Sequence, residues 1–279
     1  MGQVERLATV GVVICAYDEE AHIGRLLRSL KAQTLRPSEV IVVDDGSRDR
    51  TASIADREGV RVIRLPHRGP ALGKNIGTAS ARTDIVVFLD GDMACGPRFL
   101  ERLTAPIRTE AAVGTFTRDI YVGNPENRWA AAYAVMRRLR NGRLLPDNGP
   151  PTWDNFRAIR RDAFLSVGGY DDVGYGEDRT VSRKLGSHAV AADDAVCFHF
   201  NPSSPTEIFF NGRWIGRGPQ IREIDPPWRD HLPHRVARWL ARDLRELPPA
   251  TAVIARAAYH LGVLIGLAES TIDPRRHWK

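Results

Sequence analysis

Cysteine, methionine, glutamine and lysine are the residues this chain has least of: three, three, three and four in 279. Cys15, Cys95 and Cys197 are too few and too scattered for a disulfide framework or a thiolate metal site. Cys15 and Cys197 lie in apolar runs, which suits buried free thiols in a reducing compartment. No uninterrupted apolar stretch reaches the length of a membrane span, and no long apolar segment follows the first basic residues as in a secretory signal. The expectation is a cytoplasmic protein. Internal repeats are absent as well, which excludes solenoids and arrays.

With lysine so scarce, the net charge of +6 is carried by arginine. The planar guanidinium suits bidentate phosphate contact, so phosphorylated ligands, anionic lipid and nucleic acid all stay open. At 43% hydrophobic residues the chain is globular, with room for one large α/β domain or a core domain with an appendage.

The first part of the sequence alternates two periodicities. Val10–Cys15, Val40–Val43, Val60–Leu65 and Ile85–Leu89 read as short strands. Between them, Ile23, Leu26, Leu27 and Leu30 recur at helical spacing, a helix is predicted over Thr51–Arg57 with Gly59 at its C-terminal stop, and small residues from Leu72 to Ala81 make a third helix. Strands separated by helices imply a parallel sheet with right-handed crossovers. Ligands bind such sheets at the carboxyl ends of the strands, and both acidic clusters, Asp44-Asp45 and Asp90-Gly91-Asp92, fall there. Two acids two residues apart at a strand end suit an oxygen-seeking cation, Mg²⁺ or Mn²⁺, carrying a diphosphate; a plain acidic turn is the alternative.

Beyond Phe99 helices are predicted near Arg98–Arg108, Asn127–Arg140, Asp162–Val167 and Glu177–Leu185, and strands at Val113–Phe116 and Ala195–Phe200. Ala158-Ile159-Arg160 reads as a strand edge, and Asn141–Thr152 as a Gly- and Pro-rich loop over the sheet. After Pro226-Pro227, Arg235, Arg238, Arg242 and Arg245 share one helical stripe, with Val236, Trp239, Leu240 and Leu244 on another side. A second helix places Val253, Ile254, Ala257, Leu261, Leu264 and Ile265 on one face, interrupted by Arg256 and His260. A basic amphipathic helix beside an apolar one resembles an interfacial membrane anchor; a hairpin packed on the catalytic domain or on a twin subunit fits equally well.

Taken in order, Val13-Ile14-Cys15-Ala16-Tyr17-Asp18-Glu19-Glu20, Val42-Val43-Asp44-Asp45-Gly46-Ser47, Gly73-Lys74-Asn75-Ile76-Gly77, Phe88-Leu89-Asp90-Gly91-Asp92, Gly168-Gly169-Tyr170-Asp171 and Gly176-Glu177-Asp178 resemble the signature of the family 2 glycosyltransferases, over about residues 10–200. The resemblance implies a GT-A (Rossmann-like) fold with a mostly parallel sheet flanked by helices, a nucleotide-diphospho-sugar donor, a Mn²⁺ or Mg²⁺ cofactor and inversion at the anomeric carbon. It assigns Ala16, Tyr17, Glu19, Asp44, Asp45, Lys74, Asn75, Asp90, Gly91 and Asp92 to the donor, and Asp92, with Asp90 and His199, to the metal. Asp178 is the candidate general base, with Glu177 beside it on the acceptor or the loop. A helix start with favourable acids near its dipole is the bland reading of both pairs, Glu19-Glu20 and Glu177-Asp178. His199 equally suits a core histidine on a strand.

Trp153, Asn155 and Arg157 are expected on the sugar or acceptor side, with an ordinary loop as the alternative. Arg213, Trp214 and Arg217 are expected in a closing loop, the arginines on diphosphate and the ring on a sugar; aromatic packing is the alternative. Processive relatives carry Gln three residues before an Arg-Trp pair, and Phe210 stands there in this chain, which argues against a polymerising synthase.

The expected organisation is a catalytic domain over 1–225, with a nucleotide half at about 8–95 and an acceptor half at about 96–225, followed by a helical segment over 226–279. The expected partners are the donor, a glycan or lipid-linked acceptor, and either the inner face of the membrane or a second copy through the C-terminal helices. Two rivals stay open. A nucleotidyltransferase usually opens with a Gly-rich, Arg-containing loop after its first strand, and Ala16–Glu20 has neither residue. A nucleic-acid-binding module fits the arginines but not acids at the strand ends.

Overall fold

The structure, a computed structural model, describes residues 8–139, 142–145, 149–218 and 231–272. The chain divides into two compact units. One comprises 1–120, 147–171 and 178–198, the other 121–146, 172–177 and 199–279.

In the first unit, β1 (Val10–Ala16), β2 (Glu39–Asp44), β3 (Arg61–Arg64) and β4 (Ile85–Asp90) alternate with α1 (Ile23–Lys31), α2 (Thr51–Arg57) and α3 (Pro70–Ser80). β1 and β4 are apolar along almost their whole length because helices cover both faces of a parallel sheet. Ile23, Leu26, Leu27 and Leu30 are all buried, as their spacing requires. The eight-stranded sheet runs β3-β2-β1-β4-β9-β6-β10-β8, with β6 at Gly114–Phe116, β8 at Thr152–Trp153, β9 at Ala158–Arg160 and β10 at Ala189–Ala191; β5 (Met93–Cys95) and β7 (Ile120–Val122) are not part of it. Parallel pairing of Ala16 with Asp44 and of Cys15 with Asp90 brings the carboxyl ends of β1, β2 and β4 level.

Ala158–Arg160 is not at an edge. β9 lies between β4 and β6 and runs antiparallel to both, with Val87 opposite Ala158 and Gly114 opposite Ile159. Three residues carry no periodicity that would reveal an internal position; the long-range pairing decides it. The pairing extends beyond the strand itself, since Phe88 N donates to Arg157 O and Arg157 N donates to Thr115 O. An antiparallel insert presents its lead-in at the carboxyl edge of its parallel neighbour, so residues 155–157 arrive beside the end of β4. The unit also holds α4 (Phe99–Arg108), α6 (Arg161–Ser166) and α7 (Thr180–Leu185). The helix predicted from Glu177 opens as a 3₁₀ turn over Glu177–Arg179. The three cysteines are free; Cys95 and Cys197 are buried and Cys15 half-buried.

In the second unit, α5 (Arg128–Met136) is capped by the Asn127 side chain, which accepts from Trp129 N and Ala130 N. α8 (Pro205–Arg217) starts with Ser204 accepting from Glu207 N and Pro at its first position. α9 (Pro233–Asp243) and α10 (Pro249–Ile272) follow. Ala132, Tyr133, Met136, Ile208 and Ala255 form a core cluster. Gly212 and Gly216 of α8 meet the backbone carbonyls of Tyr259 and Val263, while Gly262 and Gly266 of α10 meet those of Phe209 and Arg213. The two helices thus cross backbone to backbone, each through a Gly-x-x-x-Gly pair.

α10 turns its two polar interruptions inward and its apolar stripe outward. Arg256 and His260 point inward, at 4% and 5% exposure, while Val253, Ile254, Leu261 and Leu264 are exposed. The reason is a partner no helical wheel contains: Asp243, fully buried, accepts two charge-assisted bonds from Arg256, and Trp239 stacks on His260. At 24 residues, α10 is also long and apolar enough to cross a bilayer by length and composition, although no plain apolar run marked it in the sequence.

Candidate functional site

The carboxyl edge of the first unit is knitted from two loops. Asp18, in the left-handed region at φ 54, accepts from Arg48 N at 2.7 Å, Glu19 N donates to Thr51 Oγ1 at 2.7 Å, and Glu20 N donates to Asp49 Oδ2 at 3.0 Å. Ser47 N donates to the buried Asp44 at 3.3 Å. Asp45 accepts from Arg68 N at 2.8 Å and Gly69 N at 2.9 Å, with His67 Nδ1 2.9 Å away. The turn needs Gly46: its φ is 79, and a Cβ there would meet His67 N at 2.7 Å. Both Asp45 oxygens therefore hold the 67–69 turn in place. His67, which the sequence did not single out, stacks on Tyr17 with ring centroids 4.1 Å apart. Burial, followed by the nearby Asp18 charge, pushes the Tyr17 hydroxyl up. The paired rings and Ala16 form the aromatic end of the edge. A His two residues before Gly69-Pro70 at a helix start was the only signal available.

The polar end centres on Asp90. Its Oδ1 lies 3.7 Å from Lys74 Nζ, which α3 holds almost fully buried, and its Oδ2 lies 3.1 Å from Arg157 Nη1. Burial works to lower the Arg157 pKa, but Asp90 foremost, together with Cys197 and Asp178, outweighs it, and the guanidinium sits above its ordinary value. Asp178 contributes to the same field, and Asn155 Nδ2 donates to Asp178 Oδ2 at 2.5 Å. Asn75 is placed differently from its expected role. Its amide donates to Tyr170 O at 2.8 Å and accepts from Tyr170 N at 2.8 Å, which pins the Gly169-Tyr170 turn. Trp153 lies on β8 with its ring 6.1 Å from Phe116.

Asp90 and Asp92 flank Gly91, where a Cβ would meet Glu19 Cγ at 2.7 Å. Among the described residues no group of three or more His, Cys, Asp or Glu is gathered for a metal. The three-residue shell expected from Asp90, Asp92 and His199 is thus not assembled as a cluster. A carboxylate pair alone still fits a hard, largely hydrated cation whose shell is completed by phosphate oxygens. His199 ends β11 (Cys197–His199) and belongs to the second unit.

Glu177, buried, also belongs to the second unit. Two residues before it, the Tyr175 ring meets Trp214 edge-on, with centroids 5.0 Å apart. The closing loop expected at Arg213–Arg217 is the last turn of α8. Arg213 grips Glu269 of α10 bidentately, at 2.9 Å through Nε and 2.6 Å through Nη2, and Arg217 binds the same carboxylate at 2.5 Å. The hydrogen bond from Arg213 chiefly, then that from Arg217, holds the Glu269 carboxyl below its ordinary value. The arginine spacing is helical, and a counter-ion over fifty residues away was invisible along the sequence.

Comparison with known proteins places these residues in company. The sequence model described as "Glycosyl transferase family 2" matches residues 11–168, more than half of the chain. A glucosyl-dolichyl phosphate glucuronosyltransferase of Haloferax volcanii is 25% identical over 72% of this chain and 66% of its own. An undecaprenyl-phosphate 4-deoxy-4-formamido-L-arabinose transferase of Pseudomonas aeruginosa is 39% identical over 34% of this chain and 31% of its own. The chain thus spans from about a third to just under two thirds of the length of these relatives. In fold it is similar to the mannosyltransferase PcManGT of Pyrobaculum calidifontis, solved with GDP-Man and Mn²⁺, with a TM-score of 0.53, 21% identity, and coverage of 98% of this chain and 83% of that one.

Proposed function

The chain belongs to glycosyl transferase family 2, and from that premise we propose that it moves a sugar from a nucleoside-diphosphate-sugar to an acceptor hydroxyl, with inversion, in the synthesis of a lipid-linked or surface glycan. Family membership decides against the nucleotidyltransferase and nucleic-acid readings left open by the sequence. The observation that carries the proposal is the chain of contacts at one sheet edge: Lys74 to Asp90, Asp90 to Arg157, and Asn155, two residues before Arg157, to Asp178.

In this reading Tyr17, backed by His67, lies against the nucleoside, and Asp44 accepts from its hydroxyl or imide groups. Lys74 brings a buried positive charge to the diphosphate. Asp92, with Asp90 behind it, would hold Mg²⁺ or Mn²⁺, which when bound neutralises charge on the departing nucleoside diphosphate. Asp178 takes the proton of the acceptor hydroxyl as that oxygen attacks the anomeric carbon and the bond to phosphate breaks on the opposite face. Glu177 lies on the acceptor side. Residues 1–225 form the catalytic domain and 226–279 the helical segment.

The apolar face of α10, with Arg238 and Arg245 exposed on and just after α9, lies against the inner face of the membrane. The relatives' lipid-phosphate names and this combination of exposed arginine and apolar surface support that location.

The test is thermal-shift titration with UDP, GDP and dTDP, with and without Mn²⁺. One of them should stabilise the protein in a Mn²⁺-dependent manner, by about 2.7 kcal/mol at a hundredfold excess over Kd. Asp178→Asn should keep that stabilisation and lose transfer. No stabilisation by any of the three overturns the donor assignment, and transfer at the wild-type rate by Asp178→Asn overturns the base.

A further inference from the structure

The segment between β8 and β9 does more than connect them. Residues 154–157 alternate as an extended strand does: Phe156 is fully buried in the sheet, while Asn155 and Arg157 share the opposite side and end on carboxylates. Arg157 is fixed by its main chain, bonded to β4 on one side and β6 on the other, and its guanidinium adds Phe88 O at 3.2 Å to its contact with Asp90. Asp154 is anchored separately, with His188 Nδ1 at 2.8 Å and Ser182 Oγ at 3.2 Å, both from α7 or the turn after it. The bracket is therefore tied at three points to the element that follows Asp178 and to the strand that ends in Asp90.

From this geometry, and resting on the reading of Asp178 as the base, we infer that Asn155 is a positioning residue for the Asp178 carboxylate. Its amide occupies Oδ2 and so fixes the plane in which the carboxylate is presented. Asn155 is itself held by the ladder bonds of Arg157, two residues on. The role is distinct from the acceptor contact that the sequence suggested for this residue. A sub-ångström error in the direction of a base costs rate, not affinity.

The experiment is a double-mutant cycle between Asn155→Ala and Asp178→Asn. It is read as nucleoside diphosphate released from whichever of UDP-glucose, UDP-N-acetylglucosamine and GDP-mannose the wild-type protein turns over with Mn²⁺. Asn155→Ala should lower kcat about 10–100-fold, a fraction of what a general base contributes, and leave the donor KM within about twofold. In the Asp178→Asn background the same change should have no further effect, because the group it positions is gone. Asn155→Asp keeps the side-chain shape, replaces the donor by a like charge, and should lose at least as much rate with an unchanged melting temperature. An Asn155→Ala enzyme with wild-type kcat, or one that loses the same factor in both backgrounds, overturns the inference while leaving the base assignment standing. A wild-type rate in Asp178→Asn overturns both.

Discussion

Gly212 offers the sharpest test of the packing beneath the second unit. Replacing a helical glycine by alanine normally stabilises, by about 1 kcal/mol, because alanine loses less backbone freedom on folding. At Gly212 a Cβ would stand 2.5 Å from Tyr259 O on α10, against an ordinary carbon–oxygen contact of about 3.3 Å. The helices must part by roughly 0.8 Å. That separation is opposed by the three other glycine contacts of the crossing and by the Arg213 and Arg217 bonds to Glu269. Overpacking of this kind costs about 1–3 kcal/mol, so Gly212→Ala alone leaves a net loss near 1 kcal/mol. Gly212→Ala combined with Gly216→Ala should lose about 2 kcal/mol, a fall in Tm of about 4–8 °C, measured by far-ultraviolet circular dichroism. Because Trp214 lies between these glycines and packs on Tyr175, transfer should fall by more than donor binding does. A rise in Tm for the double variant would refute the backbone crossing, since it would mean that alanine found open space there.

Asp92→Ala should abolish the Mn²⁺-dependent part of stabilisation by nucleoside diphosphate and leave any metal-independent part, read by thermal shift. Leu261→Gln with Leu264→Gln, on the exposed face of α10, should reduce co-sedimentation with anionic phosphatidylglycerol vesicles without lowering Tm; unchanged binding would exclude this face from the membrane. His260 is held neutral, its pKa lowered to about 3 by burial first, then by the charges of His231 and Arg256. The unfolded chain binds a proton there below about pH 6.5 that the folded chain refuses, so folding stability should fall as pH drops from 6.5 toward 3. Urea midpoints should show a shallower acid loss in His260→Gln than in wild type, and parallel curves would contradict the burial of this group.

Along the sequence, what could be read was whatever repeats at short range. The strand–helix alternation to residue 90 follows from β-branched runs and from leucines at helical spacing, and the elements fall within a residue or two of their expected ends. The acids at the strand ends follow too, because a parallel sheet must deliver every strand terminus to one edge. The identity of Asp45 as a clamp on the 67–69 turn, or of Asn75 as a clip on Tyr170, does not follow: short side chains bond to whichever backbone tertiary folding brings near. The same holds for β9, whose three residues are ordinary until pairing with β4 and β6 sets Asn155 and Arg157 beside the acids. In the C-terminal helices, periodicity identified the stripes and left open which of them is covered, since an apolar face is buried only if nothing else competes for the interior. Here a fully desolvated Asp243 demands Arg256, and two glycine pairs demand backbone contact. Local pattern thus determined the elements and the chemical character of the edge, while long-range charge pairing and close packing decided which side of each element meets its neighbour.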